Sequence, residues 1–137
     1  MNFISRLYYA IRAAMNWVRL YDLMVEGDFS TARQLAAKIK QRGSLAARIR
    51  LIEAEADYSL GNHFEAIKAL YEVHDLLEKG MEKNEDTKEY LHHYAAGLFT
   101  RIKLITNTSL RYPKIPNRQG VKLENVSTSV KNYFPDW

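Results

Sequence analysis

The sequence predicts an all-α protein of about five helices, arranged as antiparallel hairpins stacked in a short solenoid and followed by an irregular C-terminal tail. All three prolines lie at or beyond Pro113, so residues that break helices are concentrated near the C-terminus. Before that point, apolar residues recur at steps of three and four, the spacing of one helix face. We therefore divide the chain into a helical domain, residues 1–106, and an extended tail, residues 107–137, which packs on the domain or reaches from it.

The N-terminal part of the chain predicts two helices. A long amphipathic helix is expected over residues 3–24, because its apolar residues follow helical spacing. The break at Glu26-Gly27-Asp28 ends this helix. Ser30 is expected to cap a second helix over residues 31–40, since serine oxygens accept hydrogen bonds from the first free backbone N–H groups of a helix.

Three more helices are predicted between the second helix and the tail. Gly43 and Ser44 mark one turn, and Gly61 with Asn62 marks the next. Residues 80–87 are polar and are expected to form a loop. The helices are predicted over residues 45–60, 63–78 and 88–105.

Two of the breaks lie 34 residues apart and resemble each other. Gly27 and Gly61 are each followed five residues later by an alanine, Ala32 and Ala66. Glycine suits the left-handed backbone of a tight turn, and alanine lets two helices approach closely. Other pairs at the same spacing are Trp17 with Leu51, Val18 with Ile52, Met24 with Tyr58, and Ile39 with Val73.

This pattern resembles the tetratricopeptide repeat, a helix–turn–helix unit with a 34-residue period. The resemblance covers residues 13–79 as two repeats, with the fifth helix capping the stack. It implies a module that binds a protein or peptide in a groove lined by the first helix of each repeat. The residues at groove positions are Trp17, Tyr21, Met24, Arg48, Leu51, Glu55 and Tyr58. The alternative is that the aromatic residues among them belong to the core between stacked helices.

Charge alternates along the chain, and one basic segment suggests another kind of partner. Residues 1–50 carry nine Lys and Arg against three acids, residues 51–90 four against eleven, and residues 91–137 seven against two. A basic cluster of this type can bind phosphates, so a nucleic-acid-binding accessory protein is the alternative function, although an acidic partner is preferred. The cluster comprises Lys38, Lys40, Arg42, Arg48 and Arg50.

The sequence argues against an enzyme, a metal site and a bound cofactor. It contains no cysteine, and His74 is isolated in the sequence. His92 and His93 are neighbours on a predicted helix, so their side chains point about 100° apart and do not chelate one ion together. Glu53 and Asp57 share a helix face, but no phosphate-binding loop or nucleophile motif accompanies them. We therefore expect no catalytic residues, no metal ligands and no cofactor.

The N-terminal stretch predicts neither a membrane span nor a signal peptide. Arg6, Arg12 and Arg19 interrupt its apolar residues before a run of about 20 residues can form. The lack of cysteine makes a reducing cytoplasm the default compartment. Within the protein-binding class, an adaptor, a chaperone and a stoichiometric inhibitor such as an immunity protein all remain open.

Two repeats are fewer than the three or so that such a stack usually needs, so further apolar cover is expected. The tail is too apolar for a disordered segment, and we predict that it lies back along the helical body, occupies a groove or reaches a second subunit. The extension over residues 3–12 carries more apolar surface than one hairpin covers, from which we predict a homodimer.

Overall fold

The structure, a computed structural model, describes residues 2–39, 44–116 and 120–135. Within these ranges the protein is helical and contains no strand, which confirms the all-α fold class. Its helices are α1 (Phe3–Glu26), α2 (Phe29–Lys38), α3 (Ser44–Ser59), α4 (His63–Glu78), α5 (Glu85–Thr106) and α6 (Thr128–Tyr133), with a 3-10 turn (Leu123–Asn125) before α6.

Two turns of the same backbone geometry join α1 to α2 and α3 to α4. Gly27 and Gly61 have φ angles of 79° and 83°, in the left-handed region that glycine enters at little steric cost. The residues that follow them donate their backbone N–H to the carbonyl oxygen five residues earlier, at 2.9 and 2.8 Å. This is the hydrogen-bond pattern of a Schellman C-cap. The 34-residue spacing in the sequence thus corresponds to a repeated turn.

The five long helices form one packed array with α3 near its centre, since α3 contacts all four of the others. Each helix packs on its neighbour in sequence, and α3 also contacts α1 and α5. Ala32 and Ala66, which follow the two turns, are fully buried, and small side chains at these positions let the helices of each hairpin approach closely. One continuous cluster of buried apolar residues joins all five helices and the tail.

Helices α2, α3 and α5 begin earlier than the sequence predicted, α3 by only one residue. The N-cap of α2 is Asp28 and not Ser30, because Asp28 directly follows the turn and its carboxylate accepts a hydrogen bond from the Thr31 N–H at 3.3 Å. Helix α5 begins within the predicted loop, because the Asn84 side chain accepts from the Thr87 N–H at 3.0 Å. The acidic residues that follow Asn84 are also favoured by the positive end of the helix dipole.

The described part of the tail packs on the helical body of its own chain and contains α6, a helix that the sequence did not predict. Val126, Val130 and Phe134 are buried and belong to the common core. An earlier part of the tail runs beside α4, where the Tyr71 hydroxyl donates to the Arg111 carbonyl oxygen. The later part contacts both α1 and α5, so the tail supplies cover that the two hairpins lack.

Candidate functional site

The α1 side of the predicted groove is covered by the tail. Trp17 packs edge-on against Tyr133, with ring centroids 4.1 Å apart, and Tyr21 packs against the same ring at 4.3 Å. Met24 is half-buried against the core. Residues expected to contact a partner are therefore in contact with the protein's own C-terminal segment.

Phe134 connects the tail to α1, which carries one side of this groove, and to α5. Its side chain is fully buried, and its ring centroid lies 6.1 Å from that of Trp17 on α1 and 5.0 Å from that of Tyr94 on α5. The Tyr90 hydroxyl donates to the Phe134 carbonyl oxygen. Because Tyr133 at the end of α6 and Phe134 directly after it both pack on Trp17, a peptide can reach Trp17 only after this part of the tail is displaced.

The groove positions on α3 are buried or hydrogen-bonded within the chain. Leu51 is fully buried, and Tyr58 is half-buried. The Tyr94 hydroxyl donates a hydrogen bond of 2.6 Å to Oε1 of Glu55. Burial raises the pKa of Glu55, although this hydrogen bond and the positive charge of Arg101 act in the opposite direction.

Arg48, which belongs to both the predicted groove and the predicted basic cluster, is paired with Glu82. Its Nε lies 2.9 Å from Oε1 and its Nη2 lies 3.1 Å from Oε2, a bidentate arrangement that is the stronger form of this ion pair. The two side chains are only 12% and 4% exposed. Arg48 therefore acts within the chain, linking α3 to the loop before α5.

Arg50 is also engaged by acids of the same chain. Its guanidinium lies 2.6 Å from a Glu53 oxygen and 2.7 Å from a Glu72 oxygen. The remaining members of the basic cluster are Lys38, the last residue of α2, and Lys40 and Arg42, which lie outside the described residues. Two of the five predicted phosphate-binding side chains are thus paired with carboxylates.

The first part of α1, residues 3–16, carries its apolar side chains in solvent, and we call it the arm. The large apolar side chains of the arm are between 49% and 77% exposed, whereas burial begins at Trp17 and continues with Leu20 and Leu23. The charged residues of the arm are Arg6 and Arg12. No helix within the described residues has both the length and the apolar content to cross a membrane. The exposed apolar residues of the arm are Phe3, Ile4, Leu7, Tyr8, Tyr9, Ile11 and Met15.

One row of residues on α1 follows the heptad spacing of a coiled coil. The row, which we call the α1 seam, consists of Ile4, Leu7, Ile11, Ala14 and Val18, all of which are exposed. At about 100° per residue it lies on nearly the opposite side of the helix from the buried residues. β-branched residues alternate with smaller or γ-branched ones along it, an arrangement that favours two-stranded pairing. The row could have been read from the sequence, but its exposure depends on how α1 packs.

A separate cluster joins α4, α5 and the tail around His92. Each of His74, Glu78 and His92 offers one possible ligand atom, and these three atoms lie within 4.8 Å of one another. His92 is buried, with Nε2 2.9 Å from Oε1 of Glu78 and Nδ1 2.8 Å from the Tyr112 hydroxyl. Burial lowers the pKa of His92 to about 4, even though Glu78 acts to raise it, so the ring is neutral at physiological pH.

Sequence reasoning missed this cluster because it treated His74 as isolated. His74 and Glu78 are four residues apart on α4 and therefore share a helix face, which is a signal that the sequence contained. His92 lies on α5 and joins them only because α4 and α5 pack together. That packing cannot be read from residue spacing.

Comparisons of the chain with protein-family models, with curated proteins and with solved structures found no match. The resemblance to the tetratricopeptide repeat therefore stays a prediction.

Proposed function

We propose that this protein is a non-catalytic protein–protein interaction module that pairs through the α1 seam with the α1 seam of a second copy. The observation that carries the proposal is the exposure of this row, with Ile4 75%, Leu7 49% and Ile11 51% exposed. Contiguous exposed apolar surface is uncommon on monomeric proteins and marks sites of interaction.

A second α1 helix is the occupant that fits this surface best. In a two-stranded coiled coil, each side chain of an apolar row inserts between four residues of the facing helix, so two identical rows complement each other. Arg6, Arg12 and Arg19 lie outside the row, and pairing therefore does not force like charges together. Tyr8 and Met15 flank the row and widen the apolar face.

The length of the seam sets the strength expected for this pairing. Ile4 to Val18 spans about two heptads, which is short for an isolated coiled coil. The helix is already held at its C-terminal end by Trp17, Leu20 and Leu23, so less ordering entropy opposes association. We expect a dimer that forms at high concentration and dissociates on dilution.

The predicted groove is a second binding surface of the same functional class. The prediction of this groove rests on the 34-residue repeat. A peptide can bind in it only if α6 moves away from Trp17 and Tyr21. The indole Nε1 of Trp17 is buried and has no hydrogen-bond partner among the described residues, so a peptide that replaced α6 could supply an acceptor there. An adaptor, a chaperone and an inhibitor such as an immunity protein are all compatible with either surface, and the absence of cysteine fits a cytoplasmic location.

Nucleic-acid binding has less support than protein binding. Arg48 and Arg50 are held by Glu82, Glu53 and Glu72, and a phosphate would have to compete with these carboxylates. We therefore treat a salt-dependent affinity for RNA or DNA as an outcome that would argue against the proposal.

Light scattering across a concentration series tests the self-association. The wild-type chain should give a mass approaching twice 15.9 kDa at the highest concentration and a falling mass on dilution. The double variant Leu7→Glu, Ile11→Glu should stay near 15.9 kDa throughout, because it places charges in the seam. The matched control is Leu104→Glu, Ile105→Glu on α5, which adds the same charge at residues 81% and 57% exposed and should behave as wild type.

Other outcomes of this experiment distinguish pairing through the α1 seam from pairing through the groove and from binding to a membrane surface. A wild-type mass near 15.9 kDa at every concentration would overturn the self-pairing. Phe134→Ala loosens α6 and should leave the mass unchanged if the seam is responsible, whereas a change in mass would assign pairing to the groove. Binding of the wild type, but not of the seam variant, to anionic lipid vesicles would indicate a membrane surface as the occupant.

Cysteine crosslinking gives the position and direction of the pairing. The natural chain has no cysteine, so Leu7→Cys introduces a unique thiol in the seam. In a parallel pair the two residues at position 7 face each other, so a disulfide-linked dimer of Leu7→Cys under mild oxidation would indicate parallel pairing. A wild-type dimer in which Leu7→Cys does not crosslink would indicate antiparallel pairing. Leu104→Cys should stay monomeric, and equal crosslinking of the two variants would mean random collision.

A further inference from the structure

We propose that His74, Glu78 and His92 form a binding site for a divalent transition-metal ion of the zinc class. The site lies between α4 and α5, away from the α1 seam, and is independent of the function proposed above. Two imidazoles with one carboxylate are a donor set that zinc uses when it keeps a fourth position for water or another ligand. Magnesium and calcium prefer oxygen ligands, so they are not expected to compete well.

The distances between the three possible ligand atoms are close to those that a zinc ion requires. They lie within 4.8 Å of one another, and His92 Nε2 and Glu78 Oε1 are already 2.9 Å apart. In a tetrahedral zinc site, ligand atoms about 2.0–2.2 Å from the metal lie roughly 3.3–3.5 Å from each other. The side chains of His74 and Glu78 are 16% and 34% exposed, so both groups can rotate to bring the ligand atoms to the distances of a zinc site. The same exposure lets solvent reach the site.

His92 can change from a hydrogen-bonded residue to a metal ligand without losing its support. In the metal-free protein, the Nε2–H donates to Glu78 and the Tyr112 hydroxyl donates to Nδ1, a pattern consistent with the distances. With a metal on Nε2, the ring proton moves to Nδ1 and is donated to the Tyr112 oxygen, because a hydroxyl both donates and accepts. The ring stays neutral in both states, and a second hydrogen bond of this kind orients metal-ligating histidines.

Glu78 is also held in a way that suits a ligand. One of its oxygens, Oε1, faces His92, while the other, Oε2, lies 3.7 Å from the ammonium of Lys88. The ion would take the place of the hydrogen bond at Oε1 and leave the contact at Oε2 in place. Lys88 fixes the carboxylate but adds a positive charge near the site, which lowers the affinity expected for a cation.

His74 supplies the second observation that points to a ligand. Its Nε2 is buried and has no hydrogen-bond partner among the described residues, although most buried polar atoms have one. Its Nδ1 lies 3.8 Å from the exposed carboxylate of Asp75. A metal ion bonded at Nε2 would satisfy a nitrogen that has no partner among the residues that the structure describes.

Zinc titration of the chelator-treated, full-length protein tests the site. Calorimetry should show one Zn²⁺ bound per chain, and cobalt substitution should give the visible absorption of a tetrahedral ion. His74→Gln and Glu78→Gln each remove one ligand from a partly exposed position, and each should weaken binding by about tenfold or more. Circular dichroism should show that both variants remain helical.

His93→Gln is the matched control. His93 follows His92 directly, its side chain is 59% exposed, and it does not belong to the cluster, so its loss should leave zinc affinity unchanged. Tyr112→Phe keeps the ring and removes only the hydroxyl, and it should weaken binding less than loss of a ligand. The proposal is overturned if the wild type binds no zinc, if His74→Gln and Glu78→Gln both bind as wild type, or if His93→Gln weakens binding to the same extent.

Discussion

The hairpin formed by α1 and α2 and the hairpin formed by α3 and α4 share a turn but not an environment. The residues after their turn glycines have nearly identical backbone angles, φ −85° with ψ 66° in the first and φ −83° with ψ 66° in the second. Ala32 and Ala66 are equally buried. In contrast, Val18 is 51% exposed, and Ile52, 34 residues later, is 3% exposed. The repeat therefore specifies the turn and the contact inside each hairpin, whereas burial of the outer face depends on neighbouring helices.

The residue after each turn glycine shows how similar backbones take different side-chain roles. Asp28 caps α2 by accepting from the Thr31 N–H. The Asn62 side chain makes no such bond and instead donates to the buried Asp57 carboxylate at 3.3 Å. Arg33 of the first hairpin binds the same carboxylate at 3.3 Å. An aspartate at position 62 would place a second negative charge beside Asp57, so an amide is the better residue there.

The largest expected difference between the hairpins is in the free energy of unfolding that is lost when the equivalent residues Val18 and Ile52 are each replaced by alanine. Ile52→Ala should lower the free energy of unfolding by about 2–5 kcal/mol, because it opens a cavity between α3 and its neighbours. Val18→Ala should change it by no more than about 0.5 kcal/mol, because the side chain already faces solvent. Urea unfolding measures the change in unfolding free energy of both variants, at a protein concentration where the chain is monomeric. Equal losses would mean that α1 is covered in the monomer, contrary to the structure.

Features that depend on neighbouring residues in the sequence could be predicted. The two glycine turns, the buried alanines and the five long helices follow from backbone preference and apolar spacing, which act over a few residues. The N-cap of α2 was predicted at Ser30 and lies at Asp28. Both are good capping residues, and the turn that precedes them decides between the two.

Features that depend on packing between distant segments could not be predicted. Helix α6 has only six residues, too few to be stable alone. It is held by Val130 and Phe134, which are buried in the common core, and Phe134 contacts α1 and α5. The apolar spacing of α1 does not show which of its rows faces the body. Arg48 was predicted to contact a partner, and its pairing with Glu82 joins residues 34 apart in sequence.

A smaller effect, expected to be the same in both hairpins, tests whether the turn is independent of its surroundings. Gly27→Ala and Gly61→Ala should each destabilise the protein by about 1–2 kcal/mol, because an alanine in the left-handed region is strained. A Cβ at either position meets nothing within 4 Å, so no steric clash adds to this cost. Thermal or urea unfolding of the two variants supplies the comparison. A much larger loss for Gly61→Ala would show that stacking on α5 constrains the second turn.

The smallest effect expected concerns Glu55, which occupies in the second hairpin the place that Tyr21 occupies in the first. Burial raises the pKa of Glu55, so between its ordinary pKa and the raised value the folded state binds more protons than the unfolded state. This contribution to stability is present at low pH and is lost as the pH rises through the folded pKa. Glu55→Gln should remove that pH dependence and should be more stable than wild type at neutral pH by up to about 1 kcal/mol, since the amide oxygen still accepts from the Tyr94 hydroxyl. Unfolding curves at about pH 4 and pH 7 measure the change, with Glu124→Gln at an exposed position as the baseline. A variant less stable than wild type at neutral pH would mean that the carboxylate is held by its bond to Tyr94 and by Arg101 more strongly than burial opposes it.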